Sequence, residues 1–381
     1  MMQAHEKLIS AVDHVVEGPE VWTQRLSKSR WGERIPHIQR SPDGTDLWVV
    51  DGRNFWLSEI AQVGAVMADR MDSPTRWEDV PDASYVAAAR LKAMDQDGVD
   101  CAVLYPTVAG FSGETFGALA DPHLELACVQ AYNDWLIEEW ASASDRFVPQ
   151  CIVPVSPIDA AVAEIKRAVG KGHRGVVFPA VPMQLRDVPH INSLDYDPIW
   201  ATCQELEVPV CFHAGSAPQL QFPPAPTLSP AMAAALRAVT RPASAVFDFV
   251  NILFSRILLR FPSLRVIFAE SSIGWGTFLL EYADHQYEQD HCDYGLKPSE
   301  MFRRQCYLTA WYDPVKSNAR HMGTDNIMWA TKFPRANSTW PDSRAFIGKC
   351  FLGMSEKERS QILWGNAARL YKIKLSDGVA Q

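Results

Sequence analysis

The sequence predicts an α/β protein built as a single closed (β/α)8 barrel, the TIM-barrel architecture, with a long insertion after strand 1 and a proline-rich loop after strand 5. Three observations carry this expectation. Eight short apolar runs recur along the 381 residues, each followed by a helical pattern or a long loop, and that alternation lays strands in parallel with helices outside them. Several runs are apolar without alternation, as strands buried on both faces are. No glycine-rich phosphate turn follows the first run, which removes the main support for an open doubly wound sheet.

Taken in order, Leu8 to Val12 is strand 1, with Asp13, His14 and Glu17 just beyond it. Residues 18–80 hold prolines, tryptophans and mixed charge with no sustained period, so they read as an insertion or lid with a few short elements. Residues 84–96 are helical and close at Gly98. Val99 to Leu104 is strand 2. Residues 121–143 form a helix headed by Asp121-Pro122, a cap followed by proline in the first turn. Residues 146–155 are strand 3, 157–169 an amphipathic helix stopped by Gly170 and Gly172, and 175–178 strand 4. A helix over 198–206 leads to strand 5, 208–212, which ends at His213. Five prolines in 217–230 make a loop or second lid. An apolar helix over 245–261, strand 6 over 264–269 and a helix over 275–289 follow. Strand 7 is 305–310, a short helix covers 314–322, and strand 8 is 326–331. The closing helix, 355–371, opens with Ser355 and Glu358 at capping-box spacing. The whole chain, 1–381, reads as one domain.

Composition narrows the function classes. The net charge is −9, and no cluster of lysine and arginine or basic aromatic stripe offers a nucleic-acid surface. No apolar run reaches the length of a membrane span. The first residues, MMQAHEKLIS, lack the layout of a signal peptide, which implies a cytoplasmic location. Cys101, Cys151, Cys211 and Cys306 lie in apolar runs and none of the eight cysteines belongs to a CxxC pair, so they read as reduced, buried thiols rather than disulfides or a zinc knuckle.

In a barrel, chemistry sits at the carboxyl ends of the strands. Those ends carry His14, Tyr105, His213, Glu270, Trp311 and Lys332, with Arg335 shortly after strand 8 and Trp275 after strand 6. A lone buried histidine is more often a satisfied core residue, but shared placement at strand ends makes His14 and His213 site candidates. Trp22, Trp31, Trp48 and Trp56 of the insertion can stack on a planar substrate, or pack the insertion onto the barrel or a second subunit.

Several segments, in order, carry a resemblance: ISAVDHVVEGPEVW, GVDCAVLYPT, AYNDW at 131–135, RGVVFPA, DYDPIW with VPVCFHAG, RFPSLRVIFAESSIGW, DNIMWATKFPRANSTWP and ILWGNAARLY. The chain resembles, over nearly its whole length, the decarboxylase-like branch of the amidohydrolase superfamily, the group of 2-amino-3-carboxymuconate semialdehyde decarboxylase and the non-oxidative aromatic-acid decarboxylases. The resemblance implies the barrel, a small-molecule substrate, a homodimer, and one divalent metal, commonly zinc or in some members manganese. Its ligands would be a residue two places before His14, His14 itself, His213 and the residue at 332. In this sequence Val12 and Lys332 stand at the first and last of these positions, and Arg335 stands where the family often has histidine.

Valine cannot coordinate and a protonated lysine has no lone pair to offer. Asp13, adjacent to His14 on a strand, should face away from the barrel mouth. The sequence therefore predicts a metal-independent enzyme, with no cofactor, acting on a small aromatic or unsaturated carboxylate or carbonyl compound, by decarboxylation or related C–C bond chemistry. Lys332 is its electrostatic centre, with a base or imine-forming role also open. His14 and His213 are the acid/base candidates, Glu270 orients them, and Arg335, Tyr105, Trp311 and Trp275 bind substrate. The alternatives are a retasked hydrolase or cyclase, a non-catalytic pseudoenzyme, and a residual metalloenzyme using His14, His213 and Glu270.

Overall fold

The computed structural model describes residues 6–57, 61, 63–67, 73–216, 227–292 and 295–374. Its barrel strands are β1 (Ile9–His14), β5 (Cys101–Tyr105), β6 (Phe147–Pro149) continuing into β7 (Cys151–Ile152), β8 (Val176–Val177), β9 (Val210–His213), β10 (Val266–Ala269), β11 (Cys306–Ala310) and β12 (Ile327–Trp329). All pair in parallel, β1-β5-β6 on one side and β7-β8-β9-β10-β11-β12 on the other. The two halves join through residues 147–152. They meet again where Lys332 N donates to Val12 O at 3.1 Å and His14 N donates to Phe333 O at 2.7 Å, which closes the ring and makes it the expected (β/α)8 barrel.

The strands are short and buried on both faces, which is why the sequence shows runs rather than alternation. Apolar side chains from every barrel strand belong to one continuous core. Helices Ala87–Asp97, Pro122–Trp135, Ile158–Lys171, Asp197–Glu205, Gly276–Gln289 and Val315–Met322 agree with the expected ones to within a few residues. Asp121 caps its helix by accepting from His123 N and Leu124 N, and Ser355 with Glu358 completes the predicted capping box.

Three expectations need correction. The helix after β9 is Pro230–Phe254, starting well before the expected residue 245. Its amino-terminal half is alanine-rich and includes Pro242, which punctuates the pattern without ending the helix. The insertion is more ordered than its irregular composition suggests: β2 (His37–Arg40), β3 (Asp46–Val50) and β4 (Arg53–Trp56) form an antiparallel sheet. Trp22 and Trp48 are 0% exposed and meet edge-on at 5.6 Å, and Trp22 Nε1 donates to Cys128 O. They fasten the insertion to the helix Pro122–Trp135 instead of facing a substrate, Trp31 is also buried, and only Trp56, at 45%, is exposed. Most of the proline-rich stretch, 217–226, lies outside the described residues. Among the described residues no helix is long and apolar enough to cross a membrane.

Candidate active site

Four strand ends bring the predicted charges together. His14 ends β1, His213 ends β9, Glu270 follows β10 and Lys332 follows β12, and each is buried. Glu270 and Lys332 both hold left-handed backbone, φ 53° and 61°. Non-glycine residues pay for that conformation, and it persists where surrounding structure enforces it, often at functional sites. Here the turn turns each charged side chain inward at the mouth of the barrel.

Glu270 is the hub. Its Oε1 lies 3.1 Å from His14 Nε2 and 3.7 Å from His213 Nε2, and the two histidine nitrogens are 3.2 Å apart. Its Oε2 pairs with Lys332 Nζ at 3.2 Å, and Arg335 Nε stands 3.8 Å from Oε1. Lys332 Nζ also sits 3.8 Å from the centre of the Trp311 ring, and Arg335 Cζ 4.2 Å from that of Phe111, cation–π contacts that stabilise charges removed from water. Tyr105 pairs with His14 in the β1–β5 ladder and its ring lies beneath both histidines, at 6.2 and 5.5 Å. Trp275 packs on Phe249 and donates to Ser271 O, contacts that lead away from the charged cluster.

Asp13 behaves as strand geometry requires. Its carboxylate turns to β12, accepting from Thr331 Oγ1 at 2.6 Å, Phe333 N at 3.1 Å and Ser10 Oγ at 2.7 Å. It braces the strand that carries Lys332 and takes no part in the cluster. Val12 contributes its backbone oxygen to barrel closure and no ligand.

The protonation states follow from burial and charge. Burial alone would raise Glu270, but the Lys332 ammonium beside it outweighs burial and holds the carboxyl well below the usual carboxylate range. Burial, helped by the Arg335 charge, lowers His14 to about 4, and burial pushes His213 well below its ordinary value. Burial brings Lys332 down to about 8 against the opposing pull of Glu270. At neutral pH the set is therefore two neutral imidazoles, one carboxylate and one ammonium.

The tautomers follow from the partners. His14 Nδ1 lies 2.9 Å from Pro106 O and His213 Nδ1 2.8 Å from Ala214 O; a carbonyl can only accept, and the competing donor Arg335 Nη2 stands farther from His14 Nδ1, at 3.4 Å, so each Nδ1 carries the proton. Both Nε2 lone pairs then point at each other and at Glu270 Oε1. Three converging acceptors repel unless a cation lies among them, and backbone-anchored Nδ1–H groups are how metal-ligating histidines are oriented. The spacing also fits, because ligands about 2.1 Å from a tetrahedral ion stand roughly 3.4 Å apart. His14, His213 and Glu270 are the one His/Cys/Asp/Glu group of metal-ligand spacing among the described residues. The expectation of no cofactor is thus corrected in part: with Glu270 following β10, His14, His213 and Glu270 stand where they could hold one metal ion, the set the sequence offered only as its residual-metalloenzyme alternative.

Sequence reasoning missed Phe111 and Arg241. Phe111 follows β5 in a loop without periodicity, and touches His14 at 5.6 Å and His213 at 5.2 Å between ring centres. Arg241 lies in the unpredicted first half of the helix Pro230–Phe254, and its Cζ is 5.3 Å from the Phe111 ring centre. No sequence signal marks either one.

A closed parallel barrel with ionised groups gathered at its carboxyl-terminal mouth defines an enzyme scaffold. The chain belongs to the amidohydrolase family, whose profile matches residues 49–373. It is 23% identical over 322 residues, 74% of this chain and 86% of the relative, to gamma-resorcylate decarboxylase of Polaromonas sp.. Among solved structures it is similar to an amidohydrolase from Mycobacterium avium subsp. paratuberculosis, with a TM-score of 0.77, 20% identity and coverage of 97% of this chain and 100% of that one. It is also similar to the dihydroxybenzoic acid decarboxylase of Polaromonas sp. with bound manganese and 2-nitroresorcinol, with a TM-score of 0.66, 17% identity and coverage of 99% and 100%.

Proposed function

We propose that the chain is a carboxy-lyase that removes carbon dioxide from a small aromatic or unsaturated acid. The observation that carries this reading is the Lys332–Glu270 pair at 3.2 Å beside two neutral histidines, with support from the decarboxylases among its relatives. Decarboxylation of an arene or alkene carboxylate requires a proton at the carbon that bears the carboxylate, after which the C–C bond breaks and carbon dioxide leaves. Lys332, charged at neutral pH yet lowered to about 8, is the group matched to deliver that proton. Glu270 Oε2 keeps the ammonium charged and aimed. Arg335 offers the carboxylate a planar fork, and Trp311 and Phe111 give the ring apolar walls. A divalent cation held by His14, His213 and Glu270 would supply the positive charge that binds the acid's oxygens. The histidines' part is then to hold Nδ1–H on Pro106 and Ala214 and to keep Nε2 directed inward.

A second reading keeps the same reaction without a resident ion, Lys332 and Arg335 carrying all the positive charge. The ammonium 3.2 Å from the Glu270 carboxylate favours it, since like charges compete for one anion. We further read the chain as a single domain that pairs as a homodimer, to be checked by limited proteolysis and sedimentation.

The test is carbon dioxide release from a panel of hydroxybenzoates and unsaturated acids, with metal analysis of the same preparations. Release from at least one acid should fall by about a hundredfold or more in Lys332→Met, the usual scale for losing a general acid. An ion bound one to one, lost in Glu270→Gln, selects the first reading; metal-free protein with full turnover selects the second. No release from any acid that binds would overturn the lyase assignment in favour of a hydrolase, cyclase or non-catalytic role.

A further inference from the structure

Six of the eleven large hydrophobic side chains that stand exposed among the described residues lie on two helices. Met232, Leu236, Val239 and Phe247 are on Pro230–Phe254, and Phe278 and Tyr282 on Gly276–Gln289. These are consecutive outer helices of the barrel, following β9 and β10, and the rings of Phe249 and Trp275 join them at 5.0 Å. Along the first helix Met232, Leu236, Val239, Ala243, Val246 and Val250 are spaced by four and three residues in turn. They form one stripe, the seam by which a helix packs against another helix. The first four are exposed, and Val246 and Val250 are only partly covered. The arm that carries the seam, residues 230–243, is held at its base, where Ser244 Oγ donates to Arg241 O and accepts from Gly215 N, each at 2.8 Å. Beyond that tie residues 235–239 are all exposed, although a helix this apolar is normally buried.

Area and charge say what covers it. The six side chains are 36 to 77% exposed and together present roughly 600 Å², taking about 150–200 Å² for each in full. That is the upper end of the largest patches monomers carry, roughly 300–600 Å², and most of the ~800 Å² that each partner gives to a standard interface. The signs on the two helices are opposite. The arm has Arg237 and Arg241 and no carboxylate, whereas Gly276–Gln289 has Glu281, Asp284 and Glu288 and no lysine or arginine; Arg237 and Glu281 are both exposed.

We propose that a second copy of this chain docks on this face: a two-fold axis lays the seam of one copy's arm against Phe278 and Tyr282 of the other, and the reverse. In such a contact each copy presents both halves of the surface. The apolar seam meets an apolar face, and arginines meet carboxylates instead of each other. The proposal rests on the homodimer reading and adds to it the surface used.

Sedimentation equilibrium of the full chain, over concentrations from about 0.1 to 10 μM, tests it. Wild type should sediment as a dimer. Val239→Glu combined with Phe278→Glu should weaken association by at least about 100-fold, since charge is then buried without a partner. Leu352→Glu, equally exposed at 78% but outside the patch, should leave the dimer intact. Arg237→Glu and Glu281→Arg should each weaken association by about tenfold, and the two together should restore most of it; both side chains are exposed, so the exchange leaves the fold in place. A wild type that is monomeric throughout would overturn the homodimer reading and this face together. A dimer unchanged by Val239→Glu with Phe278→Glu, an equal loss in Leu352→Glu, or a charge exchange that fails to restore association would overturn the face and leave the homodimer reading standing.

Discussion

Glu270 meets different partners on its two oxygens: Oε1 faces histidine lone pairs and Oε2 faces an ammonium. Its carboxylate is what keeps Lys332 from falling further below about 8. The sign for activity is direct. A proton-donating lysine works while charged, so turnover should hold through neutral pH and decline as pH rises through about 8. Removing the Glu270 charge lowers the lysine further. In Glu270→Gln the alkaline limb of the pH–rate profile should therefore move to lower pH, in addition to any drop in the maximum, and a limb that stays in place would show that Lys332 is not the titrating group.

The elements that present these residues are short turns under strain. After β10, Glu270 and Ser272 both have positive φ, 53° and 58°. Asp313, just beyond β11, accepts from Ser272 Oγ at 2.5 Å and Ile273 N at 3.0 Å, while Ser271 Oγ accepts from Thr309 N at 3.1 Å. Left-handed residues cost roughly 1–3 kcal/mol each unless the surroundings hold them, and Asp313 supplies much of that hold. Asp313→Ala should cost about 2 kcal/mol of stability, as expected when hydrogen-bond donors lose a buried partner, and reduce kcat about tenfold or more by releasing Glu270. Asp313→Asn, which keeps an acceptor, should recover most of the rate. Urea unfolding and turnover on the same preparations check both numbers, and unchanged kcat in Asp313→Ala would remove this residue from the positioning of Glu270.

Across the whole molecule, buried carboxyls set the response to pH. Burial raises Glu17 from 4.5 to about 7 despite its bonds to Val108 N and Thr107 N, and raises Glu114 and Glu125 to about 7 and Asp13 to about 6. A carboxyl whose pKa is higher folded than unfolded binds its proton more tightly in the folded state. Its contribution is complete below the unfolded pKa and is lost as pH rises through the folded value. The buried histidines His14, His173 and His213, whose pKa values burial lowers, oppose this below about pH 6.5, so the melting temperature should fall chiefly between about pH 6.5 and pH 7.5, and Glu17→Gln should flatten that fall. A melting temperature that rises steadily over the same range in wild type would show these carboxyls to be ionised throughout.

The sequence by itself determined the barrel, because short unalternating runs separated by helical periods admit few other packings, and it determined the charged strand ends His14, His213, Glu270 and Lys332 because each follows an apolar run directly. It also fixed the direction of Asp13, since neighbours on a strand face opposite ways. Only the tertiary structure decided what those charges do to one another. Residues 14, 213, 270 and 332 are far apart in the chain, and nothing in local spacing says that two Nε2 lone pairs and one carboxylate oxygen meet within 3.7 Å, a spacing at which they could hold one metal ion. The tryptophans of the insertion read as possible substrate walls until packing turned Trp22 and Trp48 inward, and Phe111 and Arg241 came from a loop and a helix whose roles depend on long-range contact alone. Local sequence records which side chains are apolar or charged; distance, tautomer and ionisation are set by neighbours that the fold brings from elsewhere.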